Sequence, residues 1–262
     1  MPAARTATAG RLAELAALGP YFGIEIHPVG EPLSPPWQPL GALTGTLTPP
    51  GALATRIGEI RERLAAAAGC AADDVEFRVA ASVTQLGLCA RLLSPVLGAA
   101  AAGWALPVDT ARARWVPALG GPFRLSLPET AAGAASATPI PGRTMPGTSV
   151  PGAGTAACLA LLAGPVTQIT RAVEAMAVSP RVLWGNVASA VSGATAMIAK
   201  ARPDLAAPVS AAATAMLRYP ALTGTYEGSP GAGFRRRNCC LIYRLSPPGT
   251  ASYCGDCVLG PA

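Results

Sequence analysis

Leu53, Ile57, Ile60 and Leu64 recur every three or four residues, giving one apolar face, while Arg61, Glu62 and Arg63 turn the other way. That spacing predicts an amphipathic helix stopped by Gly69, the residue type that most easily takes the left-handed conformation past a helix end. Leu12, Leu15 and Leu18 predict another helix, ended by Gly19-Pro20. Val166, Ile169, Val173 and Met176 mark a third. Leu183, Val187, Val191, Ala194 and Ile198 mark a fourth, with Ser179 as its cap, Pro180 in the first helical position and an end before Pro203. A further helix is expected from about Pro208 to Tyr219, and Ser82–Ala102 reads as helix interrupted near Pro95. Phe22–Val29, Val75–Val79 and Phe123–Leu127 read as short strands. Pro32–Pro50, with six prolines, reads as loop.

Between Glu129 and Gly154 the apolar period disappears and Gly, Pro, Ser and Thr dominate, the composition of a linker or long mobile loop. The chain therefore divides into an N-terminal α+β region (1–130), a Gly/Pro-rich linker or mobile loop (131–155), a helical region (156–222) and a C-terminal segment (223–262). The expected fold class is α+β, predominantly helical, with short strands in the N-terminal half and an irregular cysteine-rich tail. With 51% hydrophobic and 13% charged residues in 262, wholesale disorder is excluded. Residues 92–108 and 182–199 carry no charge, near the lower limit for crossing a bilayer, but their prolines, serines, alanines and Asn186 predict buried core helices. Peripheral membrane contact stays open.

The net charge of +6 rests almost wholly on arginines, dispersed except for Arg235-Arg236-Arg237, which gives no footprint for nucleic acid. The single histidine, His27, excludes any centre built on two imidazoles and reads as structural. Arg11 and Glu14 interrupt the one stretch that could serve as the apolar region of a signal peptide, so reducing cytoplasm is the expected setting. Of seven cysteines, Cys70, Cys89 and Cys158 stand alone in apolar or Ala-rich surroundings and are expected to be buried, inert thiols.

The other four, Cys239, Cys240, Cys254 and Cys257, fall within nineteen residues. In a reducing compartment such a cluster reads as a metal or redox site. Cys254-Gly255-Asp256-Cys257 is a turn on which two thiolates converge. Adjacent Cys239 and Cys240 diverge in an extended chain, so sharing one metal site requires a local kink. Four thiolates satisfy one tetrahedral zinc or the two irons of a [2Fe–2S] cluster, and the ligand set alone leaves both open. Asp256 is expected to face solvent, the arginine run to be a solvated face or docking patch, and Tyr243 and Tyr253 either to shield the sulfurs or to pack at the surface.

The tail FRRRNCCLIYRLSPPGTASYCGDCVL resembles the C-terminal iron–sulfur domain of the FhuF-type ferric-siderophore reductases. The likeness extends to Ala81–Gly98 and to Pro180–Ala190, which contains Trp184-Gly185-Asn186. One departure is the spacer of thirteen residues between the cysteine pairs, longer than the family pattern, with Pro247-Pro248-Gly249 able to turn the excess. The resemblance implies a [2Fe–2S] cofactor on Cys239, Cys240, Cys254 and Cys257. It further implies one-electron reduction of a ferric siderophore, of the hydroxamate type, in the cytoplasm, with electrons from an unidentified donor. Trp184, Asn186, Arg235, Arg236 and Arg237 are the candidate substrate contacts, beside the plainer reading of a core tryptophan and a satisfied buried amide. Two alternatives are a ferredoxin-like electron carrier for another enzyme and a zinc-stabilised binding module.

Overall fold

The computed structural model describes residues 2–44, 51–119, 121–132, 151–246 and 253–260. Along the chain the elements are α1 (Pro2–Ala17), β1 (Glu25–His27), β2 (Gln38–Pro39), α2 (Ala52–Ala68), α3 (Phe77–Ala101), β3 (Arg114–Val116), β4 (Arg124–Pro128) and α4 (Glu129–Ala132). These are followed by α5 (Ala153–Leu161), α6 (Thr167–Glu174), α7 (Pro180–Ala201), α8 (Ala206–Leu217), β5 (Tyr226–Glu227) and β6 (Arg235–Arg236). The fold is the expected α+β class, mainly helical, with its strands short. Four of them form a sheet ordered β1-β4-β3-β2, in which only the β1–β4 pair is parallel.

The helix α3 lies at the centre, packed on α7, α5, α2 and α8. Most residues from Val79 to Ala101 are buried, so this helix has no solvent face over that stretch, as expected of an interior helix. The α7 stripe of Leu183, Val187, Val191, Ala194 and Ile198 is buried against it. Arg91 fastens α3 to the strand layer: its guanidinium donates to the carbonyls of Phe123 (2.8 Å), Tyr21 (2.9 Å) and Gly23. Burial pulls its pKa down to about 10, against the pull of Glu25.

Several expectations give way here. Pro95 does not interrupt α3, which runs unbroken because burial on all sides outweighs one missing N–H. Val75–Val79 is no strand: Val75 and Glu76 alone are extended after a 3₁₀ turn (Ala72–Asp74), and Phe77 already begins α3. Pro32–Pro50 holds β2 and a 3₁₀ turn over Leu40–Leu43, with 45–50 outside the described residues. The Gly/Pro-rich segment is bounded by helix, since α4 buries Ala131 and Ala132 and α5 starts at Ala153, while 133–150 lie outside the described residues. Between α5 and α6 the helix continues through a π-turn over Leu162–Val166 that absorbs Pro165. Gly69 ends α2 with φ 69°, the left-handed cap that the sequence asks for.

Candidate metal centre

Beyond α8 regular structure almost ceases. The tail consists of the β5–β6 hairpin, a 3₁₀ turn over Ile242–Leu245 and irregular chain; the Pro247-Pro248-Gly249 turn lies outside the described residues. Tyr226 and Phe234 stack across the hairpin with ring centroids 5.5 Å apart, and Gly228 (φ 80°) lies against the carbonyl of Gly233, leaving no room for a side chain. Asn238 rests over Gly185, where a Cβ would meet the Asn238 side chain at 3.5 Å. This seats the first cysteine pair on the early turns of α7.

One pair of sulfurs meets across the two motifs: Cys240 and Cys254 have their Sγ atoms 3.7 Å apart, and Cys257 is near enough to Cys239 to bear on its thiol. Among the described residues no group of three or more His, Cys, Asp or Glu side chains gathers at a single-ion site. Leu241, directly after the adjacent cysteines, has a left-handed φ of 74°, a conformation that costs a leucine about 1–2 kcal/mol. In that conformation the Leu241 N–H donates to Cys239 Sγ (3.3 Å), as the Leu259 N–H does to Cys257 Sγ (3.4 Å). The hydrogen bond between Cys240 and Cys254 holds the Cys240 thiol down to about 6 and pushes that of Cys254 up. Burial pushes Cys239 up as well, against the Leu241 N–H.

Around the sulfurs the arginine run divides. Arg236 is buried, its guanidinium bonded to Asn186, Ser189 and Asp256, whereas Arg237 points outward and sits 3.8 Å from Glu227. Arg235 donates to the carbonyls of Val258 (3.2 Å) and Gly260 (2.6 Å), pinning the chain end. The run is therefore not one solvated face. Asp256 does not face solvent: its side chain is mostly covered and ion-paired to Arg236 at 2.9 Å. Burial tends to raise the Asp256 carboxyl, but the Arg236 charge and hydrogen bonds from Ser189 and Arg236 outweigh it and hold the pKa below its ordinary value.

Two hollows flank the centre. One, of about 500 Å³, is lined by Arg181, Trp184, Thr223, Thr225, Arg237 and Asn238, next in sequence to Cys239. The other, of about 270 Å³, is more apolar and is lined by Leu64, Ile242, Leu245, Tyr253 and Cys254. Trp184 and Arg237 thus share a cavity, while Asn186 and Arg236 are closed off and turn to each other. Asn186 is wholly buried, its amide nitrogen donating to Ser82 and Gln85. Tyr253 is exposed on the rim beside Cys254, and Tyr243 lies under the Arg244 guanidinium. His27 is far along the chain, in β1, bonded to Ser126 Oγ at 2.8 Å. Arg181 and Ser189 fall in the Pro180–Ala190 likeness and Thr223 and Asn238 in the C-terminal segment, but no spacing in the chain announces that folding brings them together around one site.

Residues 236–259 match the FhuF 2Fe-2S C-terminal domain. The tail is an FhuF-type iron–sulfur domain. Neither the curated proteins nor the solved structures give a match to the chain. The cofactor of this domain is a [2Fe–2S] cluster, which resolves the choice between cluster and zinc left by the ligand set. The residues present fit it: four cysteine sulfurs come from two short segments, one from each meeting at 3.7 Å, and backbone N–H groups donate to the other two, a feature that tunes such clusters.

Proposed function

We propose that the chain is an iron–sulfur ferric reductase, which releases iron in the cytoplasm by one-electron reduction of a ferric siderophore, of the hydroxamate type. The observation that carries this is the FhuF-type tail with its four cysteines, Cys239, Cys240, Cys254 and Cys257, of which Cys240 and Cys254 meet across the two motifs. When bound, the cluster supplies electrons one at a time. Ferric iron is held tightly by hard oxygen donors; the ferrous ion, with one charge less, is held less strongly, so a single electron from a cellular donor converts a tight chelate into a releasable one.

The chain's own residues then have to hold the chelate close to the tail. The 500 Å³ hollow is our candidate dock: Arg181 and Arg237 offer forked donors to the chelate's oxygens, Trp184 an apolar face and Asn238 an amide beside Cys239. No nucleophile or general base is needed. The smaller, more apolar hollow at Cys254 is a candidate approach for the electron donor. Three helices, Phe77–Ala101, Ala153–Glu174 and Pro180–Ala201, are long and apolar enough to cross a membrane; the first and last have most of their apolar window buried in the core, the middle one less than half. Contact with the inner face of a membrane would fall to that middle helix.

Cys254→Ser and Cys257→Ser test the reading. Iron, inorganic sulfide, visible colour and ferrous release from a ferric trihydroxamate, followed with a ferrous trap, are expected to fall together. Undiminished release from colourless protein would sink the mechanism, and a coloured wild type that never reduces a chelate would be an electron carrier instead. Arg237→Gln is expected to leave the colour intact and raise the KM for the chelate about tenfold, the worth of a hydrogen bond to a charged group. An unchanged KM would remove the dock.

A further inference from the structure

The four sulfurs come from two short segments separated by thirteen residues, and neither segment belongs to a helix or a long strand. Something outside them has to hold them in register. Arg236 lies between them with its side chain only 2% exposed. Its Nε donates to Asp256 Oδ2 (2.9 Å), one terminal nitrogen to Asn186 Oδ1 (2.6 Å) and the other to Ser189 Oγ (2.8 Å). Its backbone N–H also donates to the Asp256 carbonyl at 3.0 Å. The amide nitrogen of Asn186 in turn donates to the hydroxyl and carbonyl oxygens of Ser82, both at 3.0 Å, and Ser82 Oγ donates to the carbonyl of Cys240 at 2.9 Å. The bonds form one path from Cys240, through Ser82 on α3, Asn186 on α7 and Arg236, to Asp256 between Cys254 and Cys257.

We propose that Arg236 is a positioning residue for the iron–sulfur centre, its fork fixing the register of the two cysteine pairs and its buried charge, opposed by Asp256, setting the centre's electron affinity. The planar guanidinium can hold three partners in one fixed geometry, which a lysine ammonium cannot reproduce. A lengthened loop between the cysteine pairs is then tolerated at small cost, because the register is set by α3 and α7 and not by the spacer. Gaining an electron makes the centre more negative. A buried positive charge beside it favours that step and a carboxylate opposes it, with little screening by salt. Arg236 and Asp256 therefore act in opposite directions. The inference rests on the iron–sulfur reading of the tail and is independent of which chelate is reduced.

The test is the midpoint potential of anaerobic holoprotein, read by dye-mediated visible titration, together with the rate of iron loss to a chelator. Arg236→Met is expected to lower the potential and Asp256→Asn to raise it, whereas simple structural damage would not split the two by sign. Arg236→Lys, which keeps the charge without the fork, is expected to lie closer to the wild-type potential and to lose iron several-fold faster. Shifts of like sign in the Met and Asn variants, or none, overturn the tuning role; wild-type iron retention in Arg236→Lys overturns the positioning role. If Arg236→Met does not fold, Ser189→Ala replaces it: the potential should stay while iron loss quickens, and a shift as large as that of Asp256→Asn would overturn the assignment to charge. A colourless wild type would instead remove the iron–sulfur reading itself.

Discussion

Three of the seven cysteines stand apart from the centre, and their surroundings separate them. Burial pushes the thiols of Cys89 and Cys158 up to about 12, so neither offers a thiolate at neutral pH. Cys70, expected from its Ala-rich neighbours to be buried, is exposed just past the cap of α2. Native holoprotein is thus expected to take up one equivalent of iodoacetamide, at Cys70, and cluster-free denatured protein seven; three equivalents in the native state would contradict the burial. The arginine run shows how far single residues were legible. Three consecutive arginines look alike in sequence, but neighbours in an extended chain point to opposite faces, so Arg236 is buried, Arg235 is turned to the Val258 and Gly260 carbonyls and Arg237 is exposed. Asp256 was misjudged for the same reason, since its partner is twenty residues away in sequence. His27, read from sequence as structural, is buried in β1 and bonded to Ser126 Oγ. Burial lowers its pKa from the ordinary 6.5, helped by the nearby Arg114 charge. The fold prefers the neutral ring, so the unfolded chain takes up the proton first; stability is full above pH 6.5 and falls as pH drops below it toward the folded value. His27→Gln should flatten that slope in urea titrations between pH 7 and 5, and an unchanged slope would assign it elsewhere.

Among the elements, those with a clean apolar stripe and a defined end were readable. The α2 pattern ends at a left-handed Gly69, and Pro180 opens α7. Where burial is all round, as in α3, there is no stripe to read and Pro95 falsely signalled a break. The packing of α3 on its neighbours depends on small residues at close approach. A Cβ on Gly154 of α5 would lie 2.7 Å from Ala100 Cα and 2.9 Å from the Trp104 carbonyl, both backbone atoms that cannot step aside. Gly154→Ala is therefore expected to destabilise by about 1–3 kcal/mol in chemical denaturation. Leu183→Ala, in the buried α7 stripe, should cost about 2–5 kcal/mol. Because α3 and α7 carry Ser82 and Asn186, the same change should speed iron loss from the centre; full retention of iron would separate the helix core from the site.

At the scale of the molecule, the tail is held less by its own secondary structure than by the buried polar path on a helical body, and the candidate dock is the hollow between α7 and that tail. The four cysteines could be marked as a candidate ligand set from the sequence because two short motifs carry them. The sequence likeness reaches the segments that carry Ser82, Asn186 and Ser189, but not their bonds to the tail, which form only on folding. Iron, sulfide and zinc analysis of anaerobically purified protein, with a paramagnetic resonance spectrum after dithionite, tests the central claim most directly. Two irons and two sulfides per chain with a paramagnetic signal on reduction is the expected result, following from the cluster's composition. Colourless protein with stoichiometric zinc, no sulfide and no signal would contradict it.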